Sequence, residues 1–327
     1  MRISLQEILN KIMLNRRILR IKAFKVLYSS VLSGSVSLSE AEAQLDMSCE
    51  ATRDLYVYMM GIVSPLTAVA KERIESLKRK FNPTEEEKNP NMKFAENALA
   101  AMLDEDQDFQ KIFKKRKFSW DQYDLCLKKI YSSMQSKQYF RDYMASEESS
   151  LAEDCRLFIK IFENEFVDNT DIGQILEDMS IYWNDDLAYS LTYCCRSLES
   201  IAKGRRWELP PLYQSDMKTA PGIESDRRFV HKLLQNAYGG YQKYSGMVSE
   251  TVSNWDQDRI VSTDMALIVC GLAEAENFPS IPVKVTINEY VEISKFYGTP
   301  KSRIFVNGLL DRLVQKLAAD GRIQKIN

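Results

Sequence analysis

The sequence contains a single histidine, His231, and its six cysteines include no C-x-x-C pair. Protein zinc sites need closely spaced cysteine and histidine ligands, so we expect no metal site and interpret His231 as structural. The sequence also has no glycine-rich phosphate loop, no G-x-S-x-G motif and no grouping of carboxylates typical of acid–base catalysis. We therefore expect a protein that is not an enzyme and binds no cofactor.

Long apolar runs are also missing. No run approaches the ~20 residues that a membrane-spanning helix needs, and Glu7, Asn10 and Lys11 interrupt the N-terminus where a signal peptide would be apolar. The adjacent Cys194 and Cys195 cannot readily bridge each other, and we interpret the cysteines as reduced core residues. These features predict a cytoplasmic protein with no membrane contact.

The net charge of −2 hides an uneven distribution. Residues 8–39 contain six basic residues and no acid, and the chain from residue 295 onward contains seven basic residues and two acids. Residues 147–186 contain twelve acids and two basic residues. This asymmetry indicates an anionic partner for the two ends. The acidic middle is either a solvated surface or the site of a basic partner.

The apolar period is helical along almost the whole chain, as in the stripe formed by Leu19, Ala23 and Leu27, and it predicts an all-α fold. Two stretches rich in proline, asparagine or glycine predict loops at 82–92 and 203–225. The predicted segments are an N-terminal helical part at 1–81, a diverged or inserted helical region at 93–202, a linker at 203–225 and a C-terminal helical lobe at 226–327.

The C-terminal block IPVKVTINEYVEISKFYGTPKSRIFVNGLLDRL predicts two helices joined by a tight junction. Gly298 suits a left-handed C-cap, and Thr299 followed by Pro300 suits the start of the next helix. Gly308 within that second helix predicts a close approach of another helix, because an internal glycine otherwise destabilises a helix by about 1 kcal/mol. We expect the amides of Asn288 and Asn307 to form hydrogen bonds between helices.

This block resembles the C-terminal signature of the NusB family in its proline, its Ile-Asn-Glu triplet, its helix-ending glycine and its Phe-Val-Asn-Gly motif, at positions Pro282, 287–289, Gly298 and 305–308. A second shared element is an arginine-rich first helix, 15–20, that leads into Ala23 and Leu27-Tyr28. The resemblance covers about residues 13–60 and 226–315, and the ~165 residues between them resemble the long variety of this family.

The resemblance implies a fold of two helical lobes, here with an additional helical insertion. It also implies binding to the boxA element of ribosomal RNA transcripts, together with a small-subunit ribosomal protein that serves as NusE. In the family this complex joins other Nus factors on RNA polymerase and suppresses termination.

The residues that we expect to contact RNA lie at both ends of the chain. Guanidinium and ammonium groups suit phosphate contacts, and aromatic rings can stack on unpaired bases. The predicted RNA-binding residues are Arg16, Arg17, Arg20, Lys22, Lys25, Tyr28, Lys301, Arg303 and Phe305. We expect Arg16, Arg17 and Arg20 to share a helix side away from the apolar stripe.

Two other functions are compatible with a helical fold of this kind. A scaffold that keeps the fold but has lost RNA binding stays possible, because the long acidic middle suits a different partner. NusB-like domains also precede the catalytic part of some ribosomal RNA cytosine methyltransferases. That enzymatic alternative is disfavoured, since about 15 residues follow the signature, too few for a cofactor-binding α/β domain.

Overall fold

A computed structural model describes residues 16–213, 225–252 and 261–323 of the chain. Across these ranges the regular structure consists of helices, with no strand, so the predicted all-α class is confirmed. Residues 214–224 of the predicted linker and the expected start of the first helix at Asn15 lie outside the described residues.

In chain order the helices are α1 (Arg16–Ser33), α2 (Leu38–Met60), α3 (Val63–Lys78), α4 (Glu85–Lys88), α5 (Ala98–Glu105), α6 (Gln107–Lys115), α7 (Asp124–Gln135), α8 (Gln138–Ala145), α9 (Leu151–Ile161), α10 (Thr170–Met179), α11 (Leu187–Ala202), α12 (Asp226–Gly239), α13 (Tyr241–Thr251), α14 (Ser262–Asn277), α15 (Val283–Tyr297) and α16 (Ser302–Ala319). Short 3-10 turns cover Asp121–Tyr123 and Ile181–Trp183, and a π-helical turn covers Phe162–Phe166.

The chain forms two compact units. The central unit comprises Glu50–Pro210, and the terminal unit combines the described residues up to Cys49 with those from Pro211 onward. The terminal unit is therefore built from both ends of the chain. The terminal unit contains most of the two stretches that carry the family resemblance, but residues 50–60 of the first stretch lie in the central unit. The predicted region 93–202 lies within the central unit, whereas the predicted segment 1–81 extends across the boundary at residue 50. The predicted loop at 82–92 contains the one-turn helix α4, which Thr84 caps.

Helix α14 is the centre of the terminal unit. It is buried on all sides from Ala266 to Ala275 and packs against α1, α12, α13, α15 and α16. A helix that is apolar around its whole circumference needs such complete cover. The close approach that we predicted for Gly308 occurs at Gly271 instead. A Cβ atom on Gly271 would lie 2.8 Å from Cδ2 of Leu310, while nothing lies within 4 Å of one on Gly308.

The junction between α15 and α16 is tight, but its capping differs from the prediction. Gly298 is extended, with φ −102° and ψ −178°, so the predicted left-handed C-cap is wrong. The Thr299 amide donates to Oγ of Ser302 at 2.7 Å, and the Ser302 amide donates to the Thr299 carbonyl at 2.9 Å. The regular helix begins at Ser302, three residues after the predicted cap, because this turn comes first.

The central unit has a large aromatic and aliphatic core of its own. Tyr58 stacks on Trp120 and Trp183, with ring centroids 4.4 and 5.4 Å apart. Side-chain oxygens of Asn97, Asp106, Ser150 and Asn169 cap the starts of α5, α6, α9 and α10.

All six cysteines are buried and free, as expected for small core residues. Burial raises the pKa of the Cys155 and Cys195 thiols to about 12. Within the described ranges, no helix combines the length and apolar character that a bilayer span requires.

Candidate nucleic-acid interface

Helix α1 carries six of the nine residues predicted to contact RNA. It packs against α12, α14 and α15 within the terminal unit, and the predicted stripe of Leu19, Ala23 and Leu27 is fully buried. Burial extends well beyond that stripe, however, and includes Arg20 and Lys22. The exposure and the partners of the α1 cations therefore differ from one residue to the next.

Arg20 lies in the interior, with a side chain 4% exposed. Its Nε and Nη2 donate to the two carboxylate oxygens of Glu274 at 2.7 and 2.9 Å, and Glu274 also accepts from Oγ1 of Thr286 at 2.8 Å. Burial opposes the charged guanidinium, but the hydrogen bonds and charge of Glu274 outweigh it and raise the pKa of Arg20. The prediction that Arg20 contacts RNA does not fit this geometry, because the Glu274 carboxylate holds the guanidinium in the interior.

Lys22 is also buried, at 3% exposure. Its Nζ donates to the carbonyl and the hydroxyl of Ser48 on α2, at 2.6 and 3.3 Å. A buried ammonium group needs such partners, and here they hold it away from the solvent. In this conformation Lys22 cannot reach a ligand on the surface, contrary to the prediction.

Arg16 and Arg17 are half-buried and paired with acids. The Arg16 guanidinium lies 4.8 Å above the Phe229 ring, and its Nε is 3.4 Å from Asp226. Arg17 forms a two-pronged pair with Glu289, in which both distances are 2.8 Å. The Arg17 side chain keeps 37% of its surface exposed, so a phosphate can still approach it. These pairs fix the orientation of both guanidinium groups.

Lys25 and Tyr28 lie farther along α1, where the helix meets the end of α15. The Lys25 ammonium is 5.4 Å from the centre of the Tyr297 ring, and Phe24 contacts the same ring at 5.4 Å. Tyr28 is half-buried, 6.2 Å from the Phe24 ring. Because Tyr297 precedes the junction at Gly298, these contacts bring the basic helix next to the second predicted part of the site.

Lys301 and Arg303 are exposed at that junction, and the residue between them anchors it. Ser302 is 1% exposed, and its Oγ donates to Oδ2 of Asp264 at 2.7 Å. Burial raises the pKa of Asp264, while the Ser302 hydrogen bond acts in the opposite direction. Phe305 is half-buried. The anchored serine therefore holds two outward-pointing cations on a fixed turn.

Four exposed residues of α15 and α16 were not among the predicted site residues. Phe296 and Ile304 are 75% and 79% exposed, although an apolar side chain in a helix is usually expected in the core. Asn288 and Asn307 are exposed, and their side chains form no hydrogen bond with another described residue, so the predicted bonding between helices is wrong for the described part of the chain. Helical spacing alone does not reveal any of these four positions. Both asparagines are available to a ligand.

Known proteins show what this chain is similar to. The sequence model of the NusB family matches residues 203–315. Two relatives are described as transcription antitermination protein NusB. The one from Syntrophotalea carbinolica is 36% identical over 103 residues, which cover 32% of this chain and 64% of that protein. The one from Salinibacter ruber is 32% identical over 101 residues, which cover 31% of this chain and 63% of that protein. This chain thus spans a little under two thirds of the length of these two relatives.

The relative from Myxococcus xanthus is matched almost end to end. It is 33% identical over an alignment of 131 positions, which covers 35% of this chain and 94% of that protein. No solved structure shows a significant similarity to the chain. The terminal unit contains the signature residues, and the central unit up to residue 202 lies outside the match to the family model. On this evidence the chain belongs to the NusB family of transcription antitermination proteins.

Proposed function

We propose that this protein is a non-enzymatic antitermination factor that binds boxA-type RNA of ribosomal RNA transcripts in the cytoplasm. It does so together with NusE, and with other Nus factors on RNA polymerase it suppresses termination. The observation that carries the proposal is the junction after α15, where this member of the NusB family exposes Lys301 and Arg303 beside aromatic side chains. Cations that neutralise phosphates and rings that stack on unpaired bases are what single-stranded RNA requires.

The roles of the residues follow from their exposure. Lys301 and Arg303 contact phosphates from a turn that Ser302 and Asp264 hold in place, so little ordering is needed when RNA binds. Lys25 adds a third cation beside the Tyr297 ring. Bases stack on the exposed faces of aromatic side chains at Phe296 and Phe305. Arg20 and Lys22 support this surface from inside and do not touch the RNA.

Arg16 and Arg17 have an intermediate role. Their carboxylate partners hold the guanidinium groups in place but also compete with a phosphate. We expect a smaller loss of RNA affinity from their removal than from removal of Lys301 and Arg303. Substituting Arg16, Arg17 and Arg20 together would not test the site, since the loss of Arg20 leaves Glu274 buried and unpaired.

The experiment measures fluorescence anisotropy of labelled boxA RNA and a scrambled RNA, with and without NusE. The wild type is compared with a Lys301→Gln, Arg303→Gln variant. The matched control is Lys284→Gln with Arg312→Gln, which removes an exposed lysine and an exposed arginine from the same unit. We expect the first variant to lose about tenfold in boxA affinity, roughly the effect of two lost phosphate contacts, and the control to match the wild type. Equal affinity of wild type for both RNAs would contradict the proposal.

A second candidate function is a protein-interaction scaffold without RNA binding. The observation in its favour is that Arg20 and Lys22 are buried and that Arg16 and Arg17 are paired with carboxylates. The same experiment separates the two functions. A scaffold would bind NusE, for example in a pull-down of the full chain, yet would bind boxA and scrambled RNA equally weakly.

A further inference from the structure

The end of helix α6 in the central unit carries a dense group of cations. Residues 109–120 read FQKIFKKRKFSW, with five basic residues and no acid. One of the five, Arg116, pairs with Glu50 and Asp54 at 3.2 and 3.0 Å. The other four are lysines, which we call the α6 lysine patch: Lys111, Lys114, Lys115 and Lys117.

The four lysines of the patch are exposed, and none of them forms an ion pair with any described residue. Lys111, Lys114 and Lys115 are spaced by three and four residues, so they project from one side of the helix. Like charges at this spacing repel each other and destabilise a helix slightly. The negative C-terminal end of the helix dipole attracts the lysines of the last turn and offsets their mutual repulsion. Lys111 lies before that turn and does not gain from this attraction.

Helix α6 is held so that this side faces the solvent. Oδ1 of Asp106 caps its start, Phe109 is buried, and the Phe113 ring packs against the backbone of Gly61. The patch therefore has a fixed position on the central unit. The apolar side chains between Gln107 and Phe118 are all buried or half-buried. The segment therefore offers no exposed apolar side chain for insertion into a lipid surface.

Lys117 adds a second, independent observation. Its φ of +56° lies in the left-handed region, where glycine is favoured at the end of a helix. The Lys117 amide donates to the Lys114 carbonyl at 3.0 Å, and the Phe118 amide donates to the Phe113 carbonyl at 3.2 Å, which holds the strained residue in place. Neither hydrogen bond uses the lysine side chain. Glycine would adopt this conformation with less strain, so the backbone alone does not explain a lysine at this position.

We propose that the α6 lysine patch binds the phosphate backbone of RNA that extends beyond the boxA element. Lysines act as flexible point charges that attract phosphates without reading base sequence. This inference rests on the proposed RNA-binding function, and it gives the central unit a role that the family resemblance does not supply. Extra contacts to a tethered RNA strand raise affinity because the second contact is intramolecular.

The test uses the full chain with NusE and two RNAs, the boxA element alone and boxA extended on both sides by about twelve uridines, a length within the range that single-strand sites cover. A variant with all four patch lysines changed to glutamine is compared with a control variant. The control changes four other exposed, unpaired lysines of the central unit to glutamine: Lys71, Lys137, Lys160 and Lys203.

We expect the wild type and the control to bind the extended RNA at least tenfold more tightly than boxA alone at low salt. The patch variant should lose this gain, and its affinity should depend less on salt, by about 0.7 in the logarithmic slope for each lost contact. Affinity for boxA alone should not change. An undiminished gain in the patch variant, or an equal loss in the control, would overturn the inference.

The binding data distinguish failure of the proposed function from failure of the α6 lysine patch assignment. If the wild type does not distinguish boxA from scrambled RNA, the proposed function fails. If it does distinguish them but the patch variant behaves as wild type on extended RNA, only the patch assignment fails. Lys117→Gly gives an additional check, because it should raise the thermal midpoint while weakening extended-RNA binding. A lower midpoint would mean that Lys117 serves the fold and would overturn its assignment to RNA.

Discussion

Arg20 and Glu274 form a two-pronged ion pair inside the terminal unit, although 254 positions separate them in the chain. The carboxylate of Glu274 is fully buried and also accepts hydrogen bonds from Thr286 and Tyr290. The pair joins α1 to α14, and thus the N-terminal stretch of the chain to its C-terminal lobe. An arginine predicted to meet RNA is instead a structural residue.

Arg20→Ala should lower the free energy of unfolding by about 3–5 kcal/mol, because it leaves the Glu274 charge buried without a partner. Arg17→Ala is the matched control, since it breaks a two-pronged pair at a side chain that is 37% exposed. That loss should be about 1 kcal/mol or less. Urea unfolding followed by circular dichroism measures both. Equal losses would contradict the structural role of Arg20.

Two neighbouring lysines of α1 should differ in their effect on RNA binding. Lys25→Met removes a half-exposed cation and should weaken boxA binding about fivefold, or 1 kcal/mol. Lys22→Met replaces an ammonium that is buried against Ser48, and should leave the affinity unchanged. Anisotropy titrations at a fixed salt concentration compare the two. A loss of affinity in Lys22→Met, with the fold intact, would show that Lys22 reaches the RNA.

Two glycines of the terminal unit should respond to alanine in opposite directions. Gly271→Ala places a methyl group against Leu310 and should destabilise the fold by about 1–3 kcal/mol through overpacking. Gly308→Ala meets open space on an exposed helix position and should stabilise it by about 1 kcal/mol. Thermal unfolding of both variants checks the pair, and a stabilised Gly271→Ala would contradict the packing described for α14.

The stability of the central unit should depend on pH through the ionisation of Asp54. Burial, which Arg116 opposes and Glu50 reinforces, raises the pKa of Asp54 from 3.8 to about 6. A raised carboxyl pKa means that the folded state binds the proton more tightly, so this contribution is complete below pH 4 and lost as pH rises through about 6.

At pH 7.5, Asp54→Asn should therefore be more stable than the wild type by about 1–2 kcal/mol in the free energy of unfolding, a value reduced because the group is partly exposed. The variant should accordingly unfold at a higher temperature. The difference should vanish near pH 4. Asp121→Asn, at an exposed position, is the control and should show little difference at either pH. A constant difference between Asp54→Asn and wild type across this range would contradict the raised pKa.

Much of the fold could be predicted from local pattern. Helical periodicity gave the all-α class and the buried stripe of α1, and turn chemistry gave the tight junction before Ser302. Pattern could not show that Arg20 and Lys22 are buried, because their partners lie on α14 and α2 and are invisible to spacing within α1. It also could not choose between Gly271 and Gly308, since only tertiary packing decides which glycine another helix approaches.

The candidate site was predicted less well for a related reason. Sequence composition located its cations but not their exposure, which depends on nearby carboxylates such as Glu289. Phe296 and Ile304 were not among the predicted site residues, although both are exposed beside the junction. The α6 lysine patch is visible in the sequence as a run of cations. Its lack of ion pairs and the left-handed Lys117 required the structure.

The salt dependence of boxA RNA binding in the presence of NusE tests the central claim most directly. The logarithm of the association constant should fall linearly with the logarithm of salt concentration, and the Lys301→Gln, Arg303→Gln variant should reduce that slope by about 1.4, or 0.7 for each lost phosphate contact. The Lys284→Gln, Arg312→Gln control should keep the wild-type slope. Identical slopes for all three proteins would show that the junction after α15 does not meet the RNA.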